Sequence, residues 1–481
     1  MPVDAFEELR LRMRAWLESV SPAAPLGRVE QLFLWLLAAV VLIFSFVAVD
    51  HQAIQGQRKG DLGVFLRAAW AARTGTSLYR ITDDHGWHYH YPPLLAGLLI
   101  PLADPPPATS PIAPARPLAL PYWLSAAIWY WFNICCLVAA LHLVASALER
   151  HLSRDHVPPW PRFARGWWAL RAWPLLIFLL YVGDSLGKGQ LTVVLLLCLS
   201  GCAASLLDGR SLRAGVWLGI ATGLKIFPAY LLIYPALRGD RRFLVGAALA
   251  VALGLLLPFA ILGPTAAVAA YRELVYDRLA GEAVGDINPS VAQEMHGTNA
   301  RIQSFEYILY HLQDPAGDGL ESVPPRLYFL LHVGVSLLLT VAALLAMRRR
   351  ADALGEFLFF AGLALLVVPI SPVPRPHYYA LGALAVAGIV AHEWSRRRGI
   401  WLGWSALAIL LAVPAIEIAV VAEQRQLVNF GAATFAALAL AAFCIAAGRN
   451  RVDLAKPQLR QGDGTTSTIE TRKSRSVAVP S

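Results

Sequence analysis

A chain of 481 residues that is 57% hydrophobic and 15% charged, with a mean hydropathy of +0.53, is not a water-soluble globule. Many of its apolar stretches are long enough to cross roughly 30 Å of hydrocarbon, so the expected fold class is an all-α integral membrane protein. The net charge of +9 does not call for nucleic acid as a partner, because the arginines gather at the ends of apolar spans, where topology accounts for them.

At the N-terminus, segment 1–30 carries Asp4, Glu7 and Glu8 among its arginines, and Leu9, Met13 and Trp16 recur at helical spacing within Phe6 to Val20. This predicts an amphipathic helix on the cytoplasmic membrane face. The first span, Gln31 to Val49, lacks a small-residue cleavage site and reads as an uncleaved helix. Further spans are predicted over Tyr122 to Ala147, Trp168 to Val182, Gln190 to Leu207, Phe243 to Leu262, Leu327 to Met347, Glu356 to Ile370, Tyr378 to His392, Trp401 to Val421 and Val428 to Ala447. With one broken segment they make about ten to twelve crossings or half-crossings in a membrane domain, 31–448. The polar segment 449–481 has the composition of a disordered cytoplasmic tail. Cys135, Cys136, Cys198, Cys202 and Cys444 all fall in apolar segments, which offers neither a disulfide framework nor metal-ligand spacing.

The Arg-rich connections, Arg150 to Arg171, Asp208 to Arg213, Arg238 to Arg242, Arg348 to Arg350, Arg396 to Arg398 and the stretch from Arg449, share one side, which the positive-inside rule assigns to the cytoplasm. The two long polar loops, 50–121 and 264–326, then lie together on the outer face. Arg213 and Arg238 flank a single apolar stretch, yet both belong inside by charge. Within it stands Gly223-Leu224-Lys225-Ile226-Phe227-Pro228, where Pro228 removes a backbone donor. Either this is a re-entrant pair of half-helices with Lys225 at depth, or a kinked span with a snorkelling lysine.

Several residues in the outer loops and turns have chemistry to offer. Asp61 stands at the head of a helix-like segment in which Leu62, Phe65, Ala69 and Ala72 share one face while Arg67 and Arg73 leave it, as in a helix lying in the interface. Asp is a preferred N-cap, and capping is compatible with a second role as a proton acceptor at the membrane surface. The run Asp83-Asp84-His85-Gly86-Trp87-His88-Tyr89-His90-Tyr91 lacks the arrangement of a metal motif, so no metal or other cofactor is expected. It suits a loop whose His88 and His90 hydrogen-bond sugar hydroxyls and whose Trp87, Tyr89 and Tyr91 stack on sugar rings. Lys188 and Gln190 occupy an outer turn, and a phosphate near low-dielectric surroundings requires charge-assisted partners such as Lys188 and Lys225. His377 with Arg375, and the patch His296, Asn299, Arg301 and Gln303, complete the candidates for substrate contact.

Asp61 with Val64-Phe65, Tyr91-Pro92-Pro93, Gly189-Gln190, Gly219 to Pro228 with Lys225, Gln303-Ser304, and Ser371-Pro372 followed by His377 occur in an order that resembles glycosyltransferase family 87 of the GT-C class. That family includes polyprenol-phosphate-mannose-dependent α-mannosyltransferases. Where the family often has Asn-Gln-Ser, this chain reads Ile302-Gln303-Ser304. Where it often has Trp and two histidines after Ser-Pro, this chain reads Arg375-Pro376-His377-Tyr378. The resemblance implies a GT-C helical bundle in the cytoplasmic membrane with its active site on the outer face. It further implies an inverting transferase that takes a sugar, expected to be mannose, from a polyprenyl phosphate carrier to a glycolipid or glycan acceptor among the membrane lipids. Asp61 would be the base, and Lys225, His377, Lys188 or Arg301 would face the departing phosphate. An arabinofuranosyltransferase of the same architecture, and a lipid or sugar transporter, are the alternatives. The transporter is disfavoured by the concentration of ionisable residues in loops and by the absence of a visible inverted repeat.

Overall fold

The computed structural model describes residues 23–49, 60–106, 120–154, 161–276, 303–313, 324–347, 352–395, 413 and 431–449. Among these, regular structure is helical apart from two isolated bridging pairs, Pro25 with Ala164 and Thr82 with His88. The amphipathic N-terminal segment, the 449–481 tail and the span Trp401 to Val421 lie outside the described residues, Arg449 and Val413 excepted.

Helix α1 (Arg28–Val49) is apolar and keeps Trp35 and Phe46 exposed, as a helix facing lipid should. The helices that follow are α2 (Asp61–Thr74), α3 (Pro93–Leu98) and α4 (Tyr122–Arg154). Then come α5 (Arg165–Ile177) and α6 (Leu179–Gly187), bent by 64° at Phe178, one turn after Pro174 withdraws a backbone donor. Helices α7 (Thr192–Leu207) and α8 (Ser211–Leu224) lead into the extended residue Lys225, a tight 3-10 turn (Phe227–Leu232) and α9 (Ile233–Arg238). The chain therefore breaks at Lys225 and does not run on as one kinked helix.

Helix α10 (Arg241–Leu262) is N-capped by Asp240, whose carboxylate accepts from the Phe243 N–H at 3.1 Å. It packs on α8 through small residues. A β-carbon at Gly215 would stand 2.0 Å from the Phe243 carbonyl, and one at Gly246 would stand 2.1 Å from that of Leu212. The remaining helices are α11 (Pro264–Glu273), α12 (Phe305–His311), α13 (Arg326–Ala346), α14 (Ala353–Ile370), α15 (Ala383–Ser395) and α16 (Ala432–Arg449). Helix α14 is apolar all round and buried along most of its length, which makes it a central element of the bundle.

Among the described residues, five helices are long and apolar enough to cross a membrane, or six if α5 and α6 form one span. The larger expected number also draws on α7 and α16, which are apolar but shorter, and on the span outside the described residues.

Helix α2 departs from expectation. It is buried from Leu62 to Ala71, Arg67 included, and so is not an amphipathic helix resting in the interface. The guanidinium of Arg67 is neutralised inside the protein by Asp84 at 2.8 Å and Asp104 at 3.3 Å.

Candidate active site

Asp61 is the first residue of α2, and the cap position belongs to Gly60. The Asp61 side chain caps nothing, so its carboxylate is available to the space in front of the helix. Gly60 has φ 130°, and a β-carbon there would collide with the Lys188 carbonyl at 2.6 Å. Facing it, Gly189 has φ 65°, with the Leu62 side chain 2.6 Å from where its β-carbon would be. The Leu62 N–H donates to the Lys188 carbonyl at 3.3 Å, and the Trp129 indole donates to the Gly189 carbonyl at 2.8 Å. Two glycines thus let the start of α2 and the turn after α6 pack backbone against backbone, with Asp61 and Lys188 on adjoining chain segments.

A cavity of about 630 Å³ opens at this junction. Asp61, Tyr91, Lys188, Gln190, Lys225 and His377 all line it, and His88 and His90 contribute from the aromatic loop. Asp83 folds that loop, because its Oδ1 accepts from the N–H groups of His85 and Trp87, each at 2.9 Å. Arg67 ties the same loop to α2 through Asp84. Trp87 remains partly exposed, and the Arg375 guanidinium lies 5.8 Å from its ring centroid. Tyr89, expected to stack on sugar, is instead wholly buried. Its hydroxyl donates to the Pro92 carbonyl at 2.7 Å and accepts from the Ala96 N–H at 3.1 Å, which fixes the entry into α3.

Gln303 is fully buried and is not among the cavity residues. Its N–H donates to the Pro374 carbonyl at 3.0 Å, and its own carbonyl accepts from Thr434 at 2.7 Å, so its backbone holds the Ser371 to Pro376 loop in place. Arg301, His296 and Asn299 lie outside the described residues.

Lys225 sits in the break after α8, outside the helices long enough to cross a membrane. Its ammonium donates to the hydroxyls of Tyr91, at 3.1 Å, and Tyr378, and rests over both rings, 4.5 Å and 4.2 Å from their centroids. Tyr91 in turn donates to Asp61 Oδ2 at 3.5 Å, a long contact that places a neutral phenol between acid and cation. Burial pushes Lys225 down to about 7, against the pull of Asp61 and with Arg375 adding to the lowering. Burial also pushes His377 down to about 4, although Asp184 and Asp61 favour its charged form.

Asp184 was not singled out in the sequence. On α6 its Oδ1 lies 2.5 Å from Lys188 Nζ, and its Oδ2 lies 3.5 Å from His377 Nδ1. The spacing of Asp184 and Lys188, one helical turn apart, was the available signal. Among the described residues, no group of three or more His, Cys, Asp or Glu stands close enough to hold a metal ion.

Residues 89–372, more than half of the chain, match the family model described as Glycosyltransferase family 87. That stretch contains Tyr91, Lys188, Gln190 and Lys225, and Asp61 and His377 flank it. Over 424 residues the chain is 28% identical to a polyprenol-phosphate-mannose-dependent alpha-(1-2)-phosphatidylinositol mannoside mannosyltransferase of Mycobacterium tuberculosis (strain ATCC 25618 / H37Rv), covering 86% of this chain and 88% of that protein. A protein of the same description from Mycolicibacterium smegmatis (strain ATCC 700084 / mc(2)155) is 28% identical over 376 residues, covering 76% and 77%. Crystal structures of ArnT from Cupriavidus metallidurans, bound to undecaprenyl phosphate and in the apo state, align over 86% of this chain and 77% of theirs. Their identities are 14% and 15%, with TM-scores of 0.36 and 0.35.

Proposed function

The chain belongs to glycosyltransferase family 87, and from that premise we propose that it transfers mannose from a polyprenyl phosphate carrier to a glycolipid acceptor at the outer face of the cytoplasmic membrane. The observation that carries this reading is the meeting, in one cavity, of a carboxylate with no capping role, Asp61, with two lysines, Lys188 and Lys225. The two relatives named for a polyprenol-phosphate-mannose donor and a phosphatidylinositol mannoside acceptor supply the substrate class.

Asp61 takes the proton of an acceptor hydroxyl as that oxygen attacks the anomeric carbon and the bond from this carbon to the phosphate oxygen breaks. The proton ends on Asp61, and the electron pair leaves with the lipid phosphate. A single displacement inverts the anomeric centre. Phosphate is already a good leaving group, so the site has to stabilise charge more than to protonate it. Lys225 and Lys188 meet that charge, and the phenols of Tyr91 and Tyr378 accept from the Lys225 ammonium and hold it in place without adding charge.

The test is to supply membranes containing the protein with radiolabelled polyprenyl phosphate mannose and extract the glycolipids. Label should enter a glycolipid with wild type and not with Asp61→Asn. Label passing only from the corresponding arabinose donor would replace mannose in this account, and label from neither donor would end it.

A further inference from the structure

His377 is 2% exposed, its Nδ1 has only the long contact to Asp184, and its Nε2 has no hydrogen-bond partner among the described residues. A buried imidazole in that state is costly unless something binds it. The charged groups around it are Asp184 and Lys188 at the end of α6 and Asp61 at the start of α2, and Tyr378 packs edge-on against the ring at 4.4 Å. The nearest carboxylate oxygen is Asp184 Oδ2, 3.5 Å from Nδ1, while the other oxygen of that carboxylate is paired with Lys188. A neutral imidazole carries one N–H, and a carboxylate beside Nδ1 draws the proton to that side, because two facing lone pairs repel. Nε2 then presents a lone pair. Such a nitrogen accepts a hydrogen bond and repels an anion.

We propose that His377 receives a hydroxyl of the transferred sugar and leaves the lipid phosphate to the lysines, and that Asp184 is the positioning residue that fixes the ring for this task. The inference rests on the donor named above and adds a sugar-recognising position to it. The 3.5 Å contact is longer than a formed hydrogen bond and shortens when a hydroxyl fills the other side of the ring, as site contacts often do on substrate binding. Burial keeps the ring neutral, which agrees with this division of labour.

The experiment uses the full chain labelled with ¹⁵N-histidine, with the His377 signal assigned by its loss in His377→Phe. Wild type at neutral pH should show a protonated Nδ1 and a free Nε2, and should stay neutral when undecaprenyl phosphate is added. In Asp184→Asn the Nδ1 preference should disappear, and in Asp184→Glu it should return. His377→Phe should raise KM for polyprenyl phosphate mannose roughly tenfold, the loss of one buried hydrogen bond, while the Kd of sugar-free undecaprenyl phosphate stays unchanged. A wild-type ring protonated on Nε2, a ring that becomes imidazolium with undecaprenyl phosphate, or equal weakening of both lipids in His377→Phe would each overturn the proposal. The wild-type spectrum decides even where a variant misfolds. A wild type that neither transfers mannose nor binds undecaprenyl phosphate would instead overturn the function itself.

Discussion

Asp61 owes its freedom to a glycine. Because Gly60 takes the cap position, the carboxylate has no backbone duty, and Asp61→Asn should fold as wild type while its transfer rate falls by about 10² to 10⁴, measured with labelled donor. Gly60→Ala should lower kcat/KM as well, since the new methyl group has to push the Lys188 carbonyl away and carries Asp61 with it. Lys225 sets a pH limit. Its ammonium is lost as pH rises through about 7 in the empty site, so kcat/KM should fall up to tenfold per pH unit above that point. A bound phosphate holds the proton on, which moves the corresponding limb of kcat to higher pH. An alkaline limb at the same pH in both profiles would separate Lys225 from the phosphate. Asp61 and Lys225 were legible in the chain because each is a charge set in an apolar or helix-initiating context. Asp184 offered only its one-turn spacing from Lys188 as a signal, because its second neighbour, His377, is brought beside it by folding alone.

At the level of elements, α2 shows where pattern reading stops. Arg67 and Arg73 marked one face of the helix as polar, but Arg67 is buried because Asp84 and Asp104 reach it from two different loops. Nothing in the spacing of a single helix encodes those partners. Arg67→Met would remove the guanidinium that Asp84 and the buried Asp104 share, and should destabilise the protein, seen as a lower Tm of the purified protein. The break at Lys225 was one of two readings that Pro228 and the misplaced charges left open, and the extended backbone at Lys225 decides between them. The 64° bend at Phe178 was not anticipated, since Pro174 lies inside a stretch that reads as one continuous span. Helices α8 and α10 depend on having no side chain where they touch, and Gly246→Leu should abolish the well-folded fraction on size-exclusion chromatography.

Across the whole molecule, the site is assembled from α2, the aromatic loop, the turn after α6, the break after α8 and the loop before α15, five segments far apart in the sequence. Hydropathy made the helical, membrane-spanning character plain, whereas the closing of these segments on one cavity depends on contacts far apart in sequence. Orientation can be tested directly. A cysteine at Trp87 should react with an impermeant maleimide added outside intact cells, and one at Arg210, in the exposed turn between α7 and α8, only after permeabilisation. The reverse pattern would turn the enzyme over in the membrane. The main-chain bond from Leu62 to Lys188 has a last consequence, since it rivets the chain beside Asp61 to the turn that carries Lys188. The proposed base and the proposed phosphate contact therefore share one backbone frame, and a disturbance of either segment is handed on to the other.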